Sequence, residues 1–297
     1  MPDRATEARH SAAIGLHLAA PETVLGHICD AQAQAVAAVR PAFAALALAA
    51  GAAAQAIAGG HRVIYAGAGS SGLMALSDCL ELAGTFGIAP ERTPMLLAGG
   101  AGGLLQMTGA AEDDPALARA DLARVAPRAG DVMLAVSASG STPYTLAVAT
   151  GARARGAFVV GIANVAGSPV LAAADLAVLI ETGAEVIAGS TRLAAATAQK
   201  VALNMISVLA GIALGHVHDG MMVNVIADNA KLVDRAARIV ATVAGTDVAA
   251  AKAALATAGG AVKPAVLIAR GADLARARDM LARTKGHLGP ALAELNV

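Results

Sequence analysis

The sequence predicts an α/β protein: a three-layer α/β/α sandwich around a mainly parallel sheet, with helices before it and a small C-terminal helical domain after it. Two observations carry this. Short apolar runs at 63–66, 94–98, 131–137, 157–163 and 176–180 alternate with helix-like segments such as 115–125 and 142–155. Strands covered on both faces read as unbroken apolar runs, and their alternation with helices implies βαβ units. Loops rich in Gly and Ser follow two of these runs, where ligands bind in open α/β sheets, at the carboxyl ends of strands.

The first sixty residues read as helices. Val24, Leu25, Ile28, Val36 and Val39 fall near helical spacing, and the Ala-rich run after Pro41 has high helix propensity. After Glu185 the chain turns helical again, with a long segment over about 191–214. From about residue 245 come short helical pieces punctuated by Gly259-Gly260, Gly271 and Gly286. The expected organisation is therefore 1–60 as N-terminal helices, 61–244 as the sandwich and 245–297 as the small helical domain. No tandem repeat is evident.

Composition narrows the function. Of 297 residues, 22 are Lys or Arg and 22 Asp or Glu, aromatics make up 2%, and there is no Trp. Neither the basic footprint nor the stacking platforms of a nucleic-acid binder are present, so no nucleic-acid partner is expected. The charge-free stretch 41–60 is mostly Ala and Gly with Gln55 inside, and 201–215 is short for a span, so no membrane partner is expected either. The first residues mix charge signs without an apolar stretch. Cys29 and Cys79 make no disulfide framework. These features point to a cytoplasmic protein.

Gly67-Ala-Gly69-Ser70-Ser71-Gly72 fits the G-x-G-x-x-G pattern between an apparent strand and a helix. A dinucleotide site also wants an acidic residue ending the second strand, whereas Glu91 precedes that run. The second loop, Ser137-Ala-Ser139-Gly140-Ser141-Thr142-Pro143, sets hydroxyls around one Gly ahead of a helix. Taken alone, each loop is also what a capped helix start looks like. Two at successive strand ends make an anion cradle, and a phosphorylated small molecule fits it better than a dinucleotide. His216 and His218 do not face the same way on a helix and have no ligand cluster beside them, so no metal is expected. Met221-Met222 and the stripe over 201–214 read as helix packing, and Cys79 has no base pattern around it.

The Ser137–Thr142 loop is similar to the phosphate loop of the sugar isomerase (SIS) domain. The chain as a whole resembles the bacterial N-acetylmuramic acid 6-phosphate etherase family along nearly its full length. The matching stretches are Thr6-Glu7, 63–72, Asp78 with Glu81 before Thr85-Phe86-Gly87, and Ala98-Gly99-Gly100. They continue with Gly109 to Asp114, Ser139 to Tyr144, Glu185 to Arg192, and Thr197 to Lys200 leading to Leu203-Asn204-Met205. The resemblance implies an SIS-type sandwich, a homodimer with its site near the dimer interface, no cofactor and no metal.

It also implies a lyase: cleavage of the D-lactyl ether at C3 of the amino sugar phosphate, by elimination and hydration, in cell-wall amino-sugar recycling. The family's two glutamates map onto Glu81 and Glu112. Glu81 lies in an apolar helical context whose desolvation suits a general acid; Glu112 opens an acidic cluster before Pro115, which suits an ionised C2 base. The implied substrate-binding set is Gly69, Ser70, Ser71, Ser137, Ser139, Gly140, Ser141, Thr142, Glu185, Ser190, Thr191, Arg192 and Lys200. The chain departs from the family at Leu73, Ser141 and Ala194, where basic residues are usual, and at Ala83-Gly84 in place of two prolines. The alternatives are an aldose–ketose isomerase and a non-catalytic sugar-phosphate sensor. Retention of Glu81 and Glu112 favours elimination chemistry; loss of the basic residues favours binding alone.

Overall fold

The structure, a computed structural model, describes residues 5–227 and 229–295. The chain divides into two compact units: one formed by Met1–Cys79 and Glu91–Ser207, the other by Leu80–Pro90 and Val208–Val297.

The first unit begins with α1 (Pro21–Ala37) and α2 (Phe43–Ala58). Pro21 starts α1 at a position where its missing N–H costs nothing. A 3₁₀ turn at Arg40–Ala42 separates the two helices at Pro41, which cannot continue the α-helical ladder. Then follow β1 (Val63–Gly67), α3 (Gly69–Phe86), β2 (Met95–Leu97), α4 (Gly100–Leu105), α5 (Gly109–Glu112) and α6 (Pro115–Val125). The unit continues with β3 (Val132–Ser137), α7 (Pro143–Arg153), β4 (Phe158–Ala163), α8 (Pro169–Ala173), β5 (Leu176–Leu179) and α9 (Ala194–Ala213). α3 and α9 each run on into the second unit's residues.

The five strands form one parallel sheet in the order β2-β1-β3-β4-β5. Every residue of β1 and β3 is buried, as their unbroken apolar runs require, and the run at 176–180 forms the edge strand β5. Four strands lie within the predicted runs and β1 extends one residue past its own, to Gly67, and the sandwich predicted for this part of the chain is the architecture observed. At the amino edge of the sheet, the fully buried Asp131 accepts from the Arg62 and Arg128 amides and forms an ion pair with the Arg62 guanidinium at 2.5 Å. These bonds hold its carboxyl below the usual carboxylate range although burial pulls the other way. This pair fastens the sheet at the end away from the loops that follow the strands.

Two helical stretches, Pro21–Ala58 and Ala194–Ala213, are long and apolar enough to cross a membrane by length and composition. The first is broken at Arg40–Ala42, and the second buries Ala202, Leu203 and Ile206. Polar groups of α9 are also committed inside the first unit. Gln199 donates to Asn164 at 2.8 Å, and Asn204 and Ser207 donate to the buried Asp78 at 2.7 and 2.9 Å. Tyr65 adds a third bond to that carboxylate at 2.8 Å.

The second unit contains a short hairpin, β6 (Val217–His218) and β7 (Met221–Met222), turning at Asp219-Gly220 with positive φ at both residues. Such a two-residue turn matches the strands' twist. Helices α10 (Ala230–Ala244), α11 (Val248–Thr257), α12 (Val262–Ala269), α13 (Leu274–Arg283) and α14 (Leu288–Leu295) follow around one core. The boundary expected near residue 245 falls at the left-handed C-cap Gly245 of α10, a helix whose Ala236, Ala237 and Val240 share that core. Met221 and Met222 pack against it, as expected of packing residues.

The helical unit does contain a tandem repeat, contrary to the sequence expectation. Shifting α11–α12 by 26 residues superposes it on α13–α14 in sequence. Asp247 and Asp273 both cap their helices through backbone amides three residues on, at 2.8 and 2.7 Å. Ala251 matches Ala277 and Ala265 matches Ala291, all fully buried; Val262 matches Leu288, each 2% exposed. Gly260 and Gly286 make the same left-handed turn, and Pro264 matches Pro290. Half of the identities between the two hairpins are Ala, which is common throughout the chain and marks little; the capping and turn residues reveal the repeat.

Candidate active site

The candidate site lies at the carboxyl ends of β1 and β3, which run side by side with Gly67 opposite Val136. The turn after β1 is tight. A Cβ on Gly72 would sit 2.5 Å from Leu97 Cδ1, so only glycine lets α3 start this close to the sheet. Gly69 has φ of +54°, and a Cβ there would meet Glu112 Oε1 at 2.6 Å. The Glu112 carboxyl therefore packs directly on the backbone of the first turn of α3.

Glu112 ends α5 and is half-buried, with no hydrogen-bond donor to its carboxyl among the described residues. Burial, and then the adjacent Asp113 charge, raise its pKa above the ordinary value. The acidic cluster before Pro115 suggested a carboxylate kept ionised. The structure adds that partial burial and the Asp113 charge make this carboxylate a better proton acceptor than an exposed one.

The loop after β3 is held by its own hydroxyls. Ser137 Oγ accepts from the Gly140 amide at 3.0 Å and lies 2.9 Å from Thr142 Oγ1. Ser139 Oγ accepts from the Ser141 amide at 3.2 Å and from Ser141 Oγ at 3.1 Å. Ser71, 7% exposed, accepts from the Ala138 amide at 3.2 Å and so ties the two loops together. Ser70, Ser139, Ser141 and Thr142 keep part of their surface exposed. The two loops thus gather hydroxyls, backbone amides and helix starts at neighbouring strand ends, the chemical groups that suit an anion.

The other predicted binding residues separate into two groups. Glu185 is 1% exposed, and its two oxygens accept from the Ala194 and Ala195 amides at 2.9 and 3.0 Å. Both are thus committed to capping α9, which leaves the carboxyl a structural task. Ser190, Thr191 and Arg192 follow on the loop before α9, with Arg192 exposed, and Lys200 is exposed on α9. Glu81 lies on α3 in the residues of the second unit and is exposed, so the desolvation expected from its apolar neighbours is absent in a single chain.

Three features have a role that the sequence reading did not assign. Ser168 is 4% exposed, its Oγ has no partner, and it packs against Gly140, where a Cβ would come within 2.1 Å of it. The signal was present: Ser-Pro at a helix start after a strand. Thr6, fully buried, accepts from the Gly189 amide through its carbonyl at 3.0 Å, and Glu7 packs on Gly189. The N-terminal segment therefore lies on the loop that carries Ser190 to Arg192. Tyr144, fully buried on α7, donates to Asp121 on α6 at 2.6 Å. Cys79 has no nucleophile's surroundings: burial pushes its thiol up to about 11, and it donates to the Thr93 carbonyl.

The SIS domain profile matches residues 29–164. An N-acetylmuramic acid 6-phosphate etherase of Deinococcus radiodurans is 44% identical over 292 residues, covering 98% of this chain and 96% of that protein. This chain belongs to the N-acetylmuramic acid 6-phosphate etherase family. The etherase of Streptomyces avermitilis is 43% identical, covering 79% of this chain and 76% of its own. Among solved structures, a candidate phosphosugar isomerase of capsule formation from Bacteroides fragilis aligns with a TM-score of 0.50 at 20% identity, covering 62% of this chain and 86% of its own. That likeness concerns the fold.

Proposed function

We propose that this member of the family is a carbon–oxygen lyase that converts N-acetylmuramic acid 6-phosphate to N-acetylglucosamine 6-phosphate and D-lactate, in amino-sugar recycling. The observation that carries the reading is the half-buried Glu112 carboxyl packed on the first turn of α3, beside two hydroxyl-lined loops. The phosphate sits on the Ser137–Thr142 loop with Ser70. In the ring-opened sugar the C1 aldehyde acidifies the C2 proton, which Glu112 removes. The C3–O bond breaks as Glu81 gives a proton to the departing lactate oxygen. Water then adds across the C2–C3 double bond, its hydroxyl going to C3 and a proton returning to C2. General acid–base help of this kind is worth about 10²–10⁴ in rate per group. No step calls for a cofactor or metal.

Glu81 stands twelve residues along α3 from Gly69, about 18 Å of helical rise. That spacing supports a homodimer in which a second copy supplies Glu81 to the site. Cys29 and Cys79 are free thiols, in keeping with a cytoplasmic enzyme. Ala194, in place of a basic family residue, is 3% exposed, which favours phosphate binding by hydroxyls and amides over binding by charge.

The test is a lactate assay on N-acetylmuramic acid 6-phosphate in deuterated water. The reading expects lactate release with deuterium at C2, and expects Glu81→Ala to block release while keeping C2 exchange. A ketose product without lactate would make the protein an isomerase. Ligand-induced stabilisation with neither lactate nor exchange would make it a sensor.

A further inference from the structure

The helical unit contains a cavity of about 620 Å³ that the lyase chemistry does not use. Its walls include Val223, Val233, Leu255 and Leu281, together with the Gly259-Gly260 turn and the first turn of α12. Cavities of this volume with apolar walls and few polar groups are the usual form of a small-molecule site. Among the described residues lining it, one is charged: Lys263.

Lys263 is placed against local preference. It is 8% exposed and lies in the first turn of α12, where the helix dipole disfavours a cation. Residue Ala261 offers that turn no side-chain cap. The ammonium has three donors and uses one described partner, the Gly286 carbonyl at 2.9 Å. Burial pushes the amine down to about 8. Nearby His216, whose Nδ1 is buried without a partner, is pushed down to about 4 by burial, then Lys263, then His287. Three basic groups thus meet here, and the described lining residues include no carboxylate.

The repeat supplies an internal control. The residue matching Lys263 in the second hairpin is Gly289, while the neighbouring Pro264 and Pro290 and the buried Ala265 and Ala291 are kept. The hairpin itself folds without a lysine at this point; here Lys263 also joins the two hairpins through the Gly286 carbonyl, with two of its three donors left over.

We propose that this cavity binds a small organic acid, its carboxylate paired with Lys263, its apolar body lying along Val223, Val233, Leu255 and Leu281. The carboxylate supplies the charge that the buried ammonium lacks. Binding here is independent of the lyase reading, since none of these residues belongs to that site.

The full-length protein would be titrated with hexanoate and, separately, with 1-hexanol, following the melting temperature and the heat of binding. Hexanoate is expected to raise the melting temperature and hexanol to leave it unchanged. Lys263→Met should weaken hexanoate by roughly tenfold or more, the worth of a lost charged hydrogen bond, and Lys263→Arg should restore part of it. Should Lys263→Met fail to fold, Val233→Trp fills the cavity with the lysine intact and is expected to abolish the response. A Glu112→Gln protein that loses turnover and still answers to hexanoate keeps the two sites distinct. No response of the wild-type protein to hexanoate, or an equal response in Lys263→Met, overturns the proposal.

Discussion

Two helix starts in the sheet-containing unit each hold a glutamate, and they use it in opposite ways. At α9, Glu185 is buried and both oxygens are taken by backbone amides. At α3, Glu112 lies against Gly69 with no donor to its carboxyl among the described residues, and its pKa is raised. The first carboxylate spends its charge on satisfying a helix end; the second keeps its basicity. Being a carboxylate at a helix N-terminus does not separate a cap from a base. The state of the oxygens' partners does.

The largest effect expected from this contrast is in activity. Glu112→Gln should lower turnover by about 10³-fold, in line with loss of a general base, while the melting temperature rises. The sign follows from the raised folded pKa: the ionised group lowers stability progressively as pH climbs from the ordinary carboxylate value through the folded one. Melting both proteins from pH 4 to 8 should show the variant's advantage growing with pH, and a variant less stable than wild type at pH 8 would break the contrast.

Glu185→Ala should do the reverse, costing roughly 2–4 kcal/mol because two buried amides lose their acceptor. Denaturant unfolding measures this directly. A stability change within error would mean that Glu185 is not acting as a cap. Next in size is acid sensitivity in the helical unit. His216, with a folded pKa of about 4, binds fewer protons than in the unfolded chain between that value and 6.5. Stability should therefore fall as pH drops through that window, by on the order of 2 kcal/mol after allowing for partial exposure. His216→Gln should flatten the profile. The smallest effect is in the cradle: Ser139→Ala, which removes one hydroxyl from a loop with several, should raise KM by about 5–10-fold with kcat little changed.

The sheet was legible because parallel strands buried on both faces leave continuous apolar runs, as at Val63–Gly67 and Val132–Ser137. Pro and Asp punctuation was legible too: α6 starts at Pro115 behind the capping Asp114. The placement of the two Gly/Ser loops at neighbouring strand ends could be read from hydroxyl and glycine spacing. What could not be read was the use of each charged side chain. Glu185 looks like a ligand in sequence, since the amides that occupy it belong to residues nine and ten positions on. Glu81 sits among apolar letters yet is exposed, as is the adjoining Leu80, while Cys79 and Leu82 are the residues that turn inward. The 26-residue repeat was hidden for a related reason: in an Ala-rich background its caps and turns carry the periodicity, and hydrophobicity does not.

The assignment of Leu80–Pro90 to the same unit as Val208–Val297 has a consequence for synthesis. Phe86 packs against Gly211, and its carbonyl accepts from Asn224 at 2.8 Å. More than a hundred residues of chain lie between the two parts of that unit. At roughly 5–20 residues per second on a ribosome, the middle of α3 emerges on the order of ten seconds before its partners exist. During that interval Leu82 and Phe86 are bare apolar surface on a growing polypeptide. The stretch of synthesis between these two parts is therefore the interval in which this turn of α3 stands without the residues that cover Phe86.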